Sequence, residues 1–333
     1  EQLNDRGMSQ KEFAMRMDMS EKHISKLING DVQLTSDMAV RLEIVLGVPA
    51  RFWSNLEAIY REKLIKIKAE KAMDEDVNLA RQLPYSEMAK MGWVPKTRDS
   101  KEKVINLRKF FEVVELSLLE NTQITKIACR RLAITEKGDF ALLAWAQEAK
   151  IKARDIEVKA VNIKGLINTI PEIRKMTLQK PDTFCLRIRT LLAENGIALV
   201  FLPHLKGSFL QGASFMDGNK IVVGMTARGK DADKFWFSLF HELGHIVLGH
   251  IGKSGGTTLS DEDEANEWSR NELIPPNAFE TFKNNHIFST NSIQKFAKEN
   301  EIAPGIVVGR LQNEGYIKHN MLNELKEHYT IPT

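Results

Sequence analysis

His241, Glu242 and His245 stand in the run His241-Glu-Leu-Gly-His245, the spacing His-Glu-x-x-His. On an α-helix, residues four apart differ by about 40° in azimuth, so both imidazoles point the same way and can grip one ion. Glu242 lies beside the first of them, placed to reach a water on the ion rather than the ion itself. That is the general-base arrangement of a zinc hydrolase. A third ligand is needed. His250 would lie about 180° from His241 on a continued helix and is excluded unless the helix breaks. The long metzincin pattern also fails, because Leu248 stands where its glycine belongs and Ile251 where its third histidine belongs. Glu262 and Glu264 remain, in the acidic run Asp261-Glu-Asp-Glu264.

These side chains need rigid elements. Residues 231–240 open with acids and continue with apolar residues at helical spacing, predicting a helix that buries one face and carries the histidines. Gly252, Gly255 and Gly256 are expected to end it, and Asp261 to Glu264 to bring negative charge to the start of a second helix. Upstream, a helix from Pro181 bearing Leu186, Ile188 and Leu192 leads to residues 197–202, an apolar run of strand character. Residues 208–216, the turn Asp217-Gly-Asn219 and residues 220–225 predict a β-hairpin. Residues 211–216 are a candidate edge strand for holding an extended substrate.

The second helix reads Glu262-Asp-Glu-Ala265-Asn266, followed by Trp268, Ser269 and Leu273-Ile-Pro-Pro276. This resembles the ImmA/IrrE family of metallopeptidases, whose pattern is Glu-x-x-Ala-Asn and then Leu-x-x-Pro. The resemblance assigns Glu262 as the third ligand, with Glu264 as the alternative. It implies Zn2+ held by His241, His245 and Glu262, with Glu242 as the catalytic base in peptide hydrolysis. The tail Pro304-Gly-Ile-Val-Val-Gly-Arg-Leu-Gln312 is also similar to that family's. Arg310 within it either faces the cleft or pairs with an acidic neighbour. His204, Tyr316 and His250 are candidates to assist the zinc at the oxyanion, and spacing does not choose among them. A purely structural zinc usually fills four positions with Cys or His, and no cysteine is near.

The N-terminal stretch carries a different pattern. Ser9-Gln-Lys-Glu12 reads as a capping box opening a short helix with Phe13, Ala14 and Met17 on one face, and Asp18-Met-Ser20 as a turn ending on an N-cap. A second short helix over 21–28 is expected to bury Ile24, Leu27 and Ile28, to leave Lys22, His23 and Lys26 outside, and to close at Asn29-Gly30. With Gly47-Val-Pro-Ala-Arg-Phe-Trp53 following, this resembles the XRE helix-turn-helix, more closely its HigA-type branch. The resemblance places Lys22, His23 and Lys26 toward bases in the major groove and Gln10 and Ser20 near phosphates. It implies operator DNA, a homodimer through this domain, and a cognate toxin as partners. Residues 1–60 hold seven basic against nine acidic residues, a balance that also suits a bundle binding protein. The chain opens without Met, partway through what would be the domain's first helix, which is expected to be truncated.

The 333 residues suffice for two or three packed units. The expected fold is mainly α with a small β-sheet, in three parts. They are a helix-turn-helix domain over 1–70, a helical connector over 71–176 and a peptidase domain over 177–333. Pro49 opens a longer helix through Trp53, Leu56, Tyr60 and Leu64 that is expected to end in the basic run Lys63 to Lys68, a solvated face. Asp74-Glu-Asp76 marks a boundary, and breaks are expected at Leu83-Pro84, at Pro95-Lys-Thr97 and over residues 135–138. Residues 84–93, Phe110-Phe111, Arg130-Arg131 and Ala144-Trp145 look like the connecting helices of helix-turn-helix-linked ImmA/IrrE proteins. No apolar run approaches eighteen residues, and the opening lacks a signal-peptide pattern, so a cytoplasmic, non-membrane protein is expected. Cys129 and Cys185 are too few and too far apart for a zinc knuckle or a disulfide framework. Together these readings point to a DNA-binding zinc endopeptidase that regulates transcription by cleaving a repressor-like or antitoxin-like partner. The alternative is a HigA-like antitoxin or repressor whose zinc site is a sensor or remnant.

Overall fold

The computed structural model describes residues 2–120, 136–207, 211–226, 231–251 and 257–331. The chain is mainly α with one three-stranded sheet, an α+β protein. It divides into two compact units, Glu1–Glu75 and Asp76–Thr333. Residues 76–176, expected as a connector, fall in the same unit as the sheet and the His-Glu-x-x-His helix. Among the described residues no helix is long and apolar enough to cross a membrane. Cys129, Arg130, Arg131, Gly252, Gly255, Gly256 and residues 208–210 of the expected hairpin lie outside the described residues.

The first unit is built from α1 (Gln2–Asp5), α2 (Gln10–Arg16), α3 (Glu21–Ile28), α4 (Ser36–Leu46) and most of α5 (Ala50–Ala80). Ser9 caps α2 by accepting from the Glu12 amide at 3.1 Å, but Glu12 itself pairs with Arg16 at 2.6 Å rather than closing the expected capping box. Phe13, Ala14, Met17, Ile24, Leu42 and Leu46 form the core. Ile28 departs from expectation at 59% exposed, because α3 ends there and only Ile24 of the helix is fully buried. Gly30 follows in the left-handed region at φ +79°, where a Cβ would stand 2.5 Å from the hydroxyl oxygen of Tyr60. The N-terminus of α5 is capped from α4, with Glu43 accepting from the Ala50 amide at 2.8 Å. This helix continues to Ala80, so the basic run over 63–68 lies inside it rather than at its end, and no break separates 70 from 71.

The second unit continues with α6 (Tyr85–Lys90), α7 (Ser100–Phe111), α8 (Glu136–Arg154), α9 (Ile163–Lys175) and α10 (Pro181–Ala193). Residues 136–138, expected to be a break, are the first turn of α8. On α10, Phe184, Cys185, Ile188, Leu191 and Leu192 are buried, whereas Leu186 is 73% exposed on the opposite face. The sheet follows: β1 (Ile197–Leu202), β2 (Gly212–Asp217) and β3 (Lys220–Thr226), in the order β1-β3-β2. β1 runs parallel to β3, and β2 pairs antiparallel with β3 from Asp217↔Lys220 outward. Gly218, at φ +62°, opens the two-residue turn, which needs a positive φ at its first position to match the strand twist.

Every residue of β1 is buried because both faces of the sheet are covered. Ile197, Leu199, Phe201, Ile221, Val223 and Met225 face the main core. On the opposite face Gly224 receives the ring of Trp145 from α8; a Cβ there would lie 2.6 Å from the ring's Cη2. Lys220 fixes α8 further by donating to the carbonyls of Ala153 and Ile156, each at 2.9 Å. The helix expected as part of a connector is therefore one wall of the sheet.

On the core face lie α11 (Ala232–Val247) and α12 (Leu259–Leu273), followed by α13 (Pro276–Asn284), α14 (Thr290–Glu299) and α15 (Pro304–Asn313). Gly244 lets α11 and α12 approach closely, since a Cβ would stand 3.0 Å from Trp268 and 3.3 Å from the Ala265 carbonyl. Residues near 328 fasten the start of α11. The Ala232 amide donates to the Glu327 carbonyl at 3.0 Å, Lys326 pairs with buried Asp233 at 2.7 Å, and Trp236 donates to the Tyr329 hydroxyl at 3.1 Å.

Candidate metal centre and nucleic-acid interface

α11 is buried along nearly its whole length, so its histidines are held by packing rather than exposed on a mobile surface. His241 Nε2 and His245 Nε2 lie 3.0 Å apart, as the spacing of four requires. From α12, Glu262 brings one oxygen to 3.3 Å from His241 Nε2 and the other to 3.4 Å from His245 Nε2. Two ligands about 2.1 Å from a tetrahedral ion stand about 3.4 Å apart, so the two imidazoles and this carboxylate lie close enough together to share one ion. Its donors, two imidazoles and one carboxylate, are the set of a zinc centre that keeps one position open. The group is the one candidate metal cluster among the described residues. Glu264 does not join it: its carboxylate lies 3.4 Å from His250 instead.

Glu242 sits on the same helix and is buried. Its Oε2 accepts from the Ser214 hydroxyl at 2.7 Å. Ser214 and Gly212 share the face of β2 that their partners Val223 and Met225 turn toward the main core, so the hairpin register aims both at α11. At Gly212 a Cβ would come within 2.9 Å of Glu242 Cγ. Burial pushes the Glu242 carboxyl up to about 7, although His241 and the Ser214 hydrogen bond favour its charged form. Burial likewise pushes His245 down to about 4, helped by His241 and opposed by Glu262. For Glu262, burial acts upward but is outweighed by the hydrogen bond and charge of His241 and the charge of His245, leaving it below its ordinary value.

The helix breaks sooner than expected. Leu248 caps it, Gly249 turns the chain at φ +74°, and the His250 amide donates back to the His245 carbonyl at 2.9 Å. His250 thereby folds back behind His245, with Nδ1 to Nδ1 at 3.1 Å. Asp261 closes a capping box with Thr258 at the start of α12, and its carboxylate stands 3.6 Å from His250 Nε2. Of the oxyanion candidates, Tyr316 packs its ring on Phe279 and Phe288. Arg310 pairs with Glu314 at 2.8 Å, donates to the carbonyls of Arg270 and Ile274, and stacks 4.0 Å above Phe279, so it ties α15 to the end of α12. Ser214 and the role of His250 carry no motif signature; the hairpin register and the Leu-Gly ending of the helix were the available signals.

In the first unit Ser20 caps α3, accepting from the His23 amide at 3.2 Å, and Lys22 and Lys26 are exposed one turn apart on that helix. His23, expected outside, is half-buried, and Gln10 is half-buried as the first residue of α2. Lys22 and Lys26 thus share one open face with Ser20 at its start.

Comparison with known proteins locates what is shared. The helix-turn-helix family model matches residues 1–53. This stretch is a helix-turn-helix domain, a class whose second helix lies in the DNA major groove. The chain is similar to an uncharacterised helix-turn-helix-type transcriptional regulator, YddM, of Escherichia coli K12, at 35% identity over 57 residues, which are 17% of this chain and 61% of that protein. No solved structure matches the chain.

Proposed function

We propose that this chain couples an operator-binding helix-turn-helix to a zinc endopeptidase unit that acts on a protein partner. One observation carries the enzymatic part: two imidazole nitrogens 3.0 Å apart face one carboxylate that brings an oxygen within 3.4 Å of each, with the Glu242 carboxylate on the same helix held by Ser214. Bound zinc supplies Lewis acidity and an acidified water at neutral pH. The chain's own residues do the rest. His241, His245 and Glu262 hold the ion. Glu242 takes a proton from the attacking water and delivers it to the leaving amine.

Among the described residues β2 pairs on one side only, and it begins beside Glu242. Its outer edge suits an extended polypeptide added as a further strand. The substrate class is therefore a protein segment without fixed structure, such as a linker in a repressor or an antitoxin-like regulator. The helix-turn-helix match and the open face bearing Lys22 and Lys26 support the DNA-binding part.

The test compares the full chain with Glu242→Gln on unfolded casein, with zinc content and operator binding measured alongside. Cleavage by the parent, lost in the variant with zinc retained, is the expected result. No cleavage by a zinc-loaded parent that still binds DNA would sink the peptidase and leave a repressor or HigA-like antitoxin with an inert site.

A further inference from the structure

We infer that His250 is a positioning residue for the metal ligand His245, and that it adds an indirect link between the two ligand-bearing helices. The inference rests on the zinc reading above. An imidazole that gives Nε2 to an ion must carry its proton on Nδ1, and that N–H needs an acceptor, usually a carboxylate, a carbonyl or a water. Here the group facing His245 Nδ1 is neither carboxylate nor carbonyl but another imidazole nitrogen, His250 Nδ1, at 3.1 Å. Both rings are almost fully buried.

Tautomer logic fixes the rest of the chain of contacts. With His245 donating from Nδ1, His250 accepts at Nδ1, so its own proton resides on Nε2. That nitrogen faces Glu264 at 3.4 Å and Asp261 at 3.6 Å. Both carboxylates stand on α12, the helix that presents Glu262. α11 and α12, joined also by the Ser269 hydroxyl on the Phe237 carbonyl at 3.1 Å, are thus bridged at the candidate site both directly, where Glu262 meets His241 and His245, and indirectly, through His245, His250 and the Asp261/Glu264 pair. The indirect bridge sets the rotation of the His245 ring and favours the tautomer that leaves Nε2 free for an ion. Glu264, the alternative ligand in sequence, acquires a different role as an anchor one step removed.

His250→Phe keeps a ring of similar volume and removes the acceptor, whereas His250→Asn offers an amide oxygen near the position of Nδ1. Zinc affinity of the full chain, measured by competition with a chromophoric chelator, is expected to fall about 10- to 100-fold in His250→Phe and to be partly restored in His250→Asn. In the zinc-loaded parent, nitrogen-15 spectra of the histidine rings are expected to show His245 protonated at Nδ1 and His250 at Nε2. That measurement needs no variant and holds even if His250→Phe fails to fold. A parent that binds zinc through His241, His245 and Glu262 but shows His250 protonated at Nδ1, or a folded His250→Phe with parental zinc affinity, overturns this inference alone. A parent that takes up no zinc overturns the peptidase reading together with it.

Discussion

The Ser214 hydroxyl donates to Oε2 of Glu242 across 2.7 Å, joining the edge strand to the helix that carries both histidines. A hydrogen bond to a charged group is worth about 1.5–3 kcal/mol, and this one orients the carboxylate as well as favouring its ionised form. Ser214→Ala is expected to retain zinc and to cleave roughly 10- to 100-fold more slowly. Because the lost bond held the Glu242 pKa down, the acidic limb of the pH–rate profile moves to higher pH. Unchanged rates and profile would separate Ser214 from the chemistry.

The ligand set makes a sharper distinction. His241→Ala, His245→Ala and Glu262→Ala should each abolish stoichiometric zinc uptake by the purified chain, measured by metal analysis after dialysis. Glu264→Ala should keep the ion, because its carboxylate reaches His250 and not the triangle. Loss of zinc in the Glu264 variant with retention in the Glu262 variant would reverse the assignment.

Stability of the metal-free protein should carry the signature of Glu242. Its folded pKa, raised to about 7 by burial, lies above the ordinary 4.5, so between these values the native state binds more protons than the unfolded state. Stability from this group is full below about pH 4.5 and is lost as pH rises through about 7, a change of about 3 kcal/mol at most. His245 acts oppositely: depressed to about 4, it contributes stability above its ordinary 6.5 that is lost as pH falls toward 4. The two slopes oppose each other between about pH 4.5 and 6.5. Glu242→Gln removes one of them, so the chelator-treated variant should gain stability with rising pH in that window more steeply than the parent, as read by urea unfolding.

Trp145 fills the space that a missing side chain leaves at Gly224. A methyl group there meets a rigid indole, and overpacking of this kind costs about 1–3 kcal/mol, while Trp145→Ala removes a buried ring at about 3–5 kcal/mol. Both changes are expected to lower the urea midpoint of the second unit and leave the helix-turn-helix transition in place.

At the N-terminus, Lys22→Ala with Lys26→Ala should weaken binding to an operator fragment. The slope of log affinity against log salt should flatten by about 0.9 for each phosphate that the variant no longer neutralises. Binding that is unaltered in a fluorescence-anisotropy titration would favour a protein partner for this domain.

The cluster of His241, His245 and Glu262 was legible because its information is local: a spacing of four brings two imidazoles together on any straight helix, and a family resemblance pointed to Glu262 as the candidate third ligand. The β-hairpin was legible for a similar reason, since Asp217-Gly-Asn219 marks the turn and the turn fixes the register. Features that depend on where a helix stops were not. His250 stays outside the candidate metal cluster, but its place behind His245 was hidden because the helix was expected to run on to Gly252 and Gly249 ended it. Ile28 and Leu186 are apolar residues left on open faces, which periodicity alone does not separate from buried ones. The role of α8 was hidden too, because a helix that walls a sheet has the same composition as a helix in a connector.

The clasp of Lys326, Glu327 and Tyr329 on the first turns of α11 bears on when the site comes into being. Translation delivers the two histidines long before it delivers the lysine that neutralises Asp233 or the phenol that receives the Trp236 indole. The packing that fixes the first turns of α11 is therefore completed only after the helix-turn-helix unit and both histidines have been made.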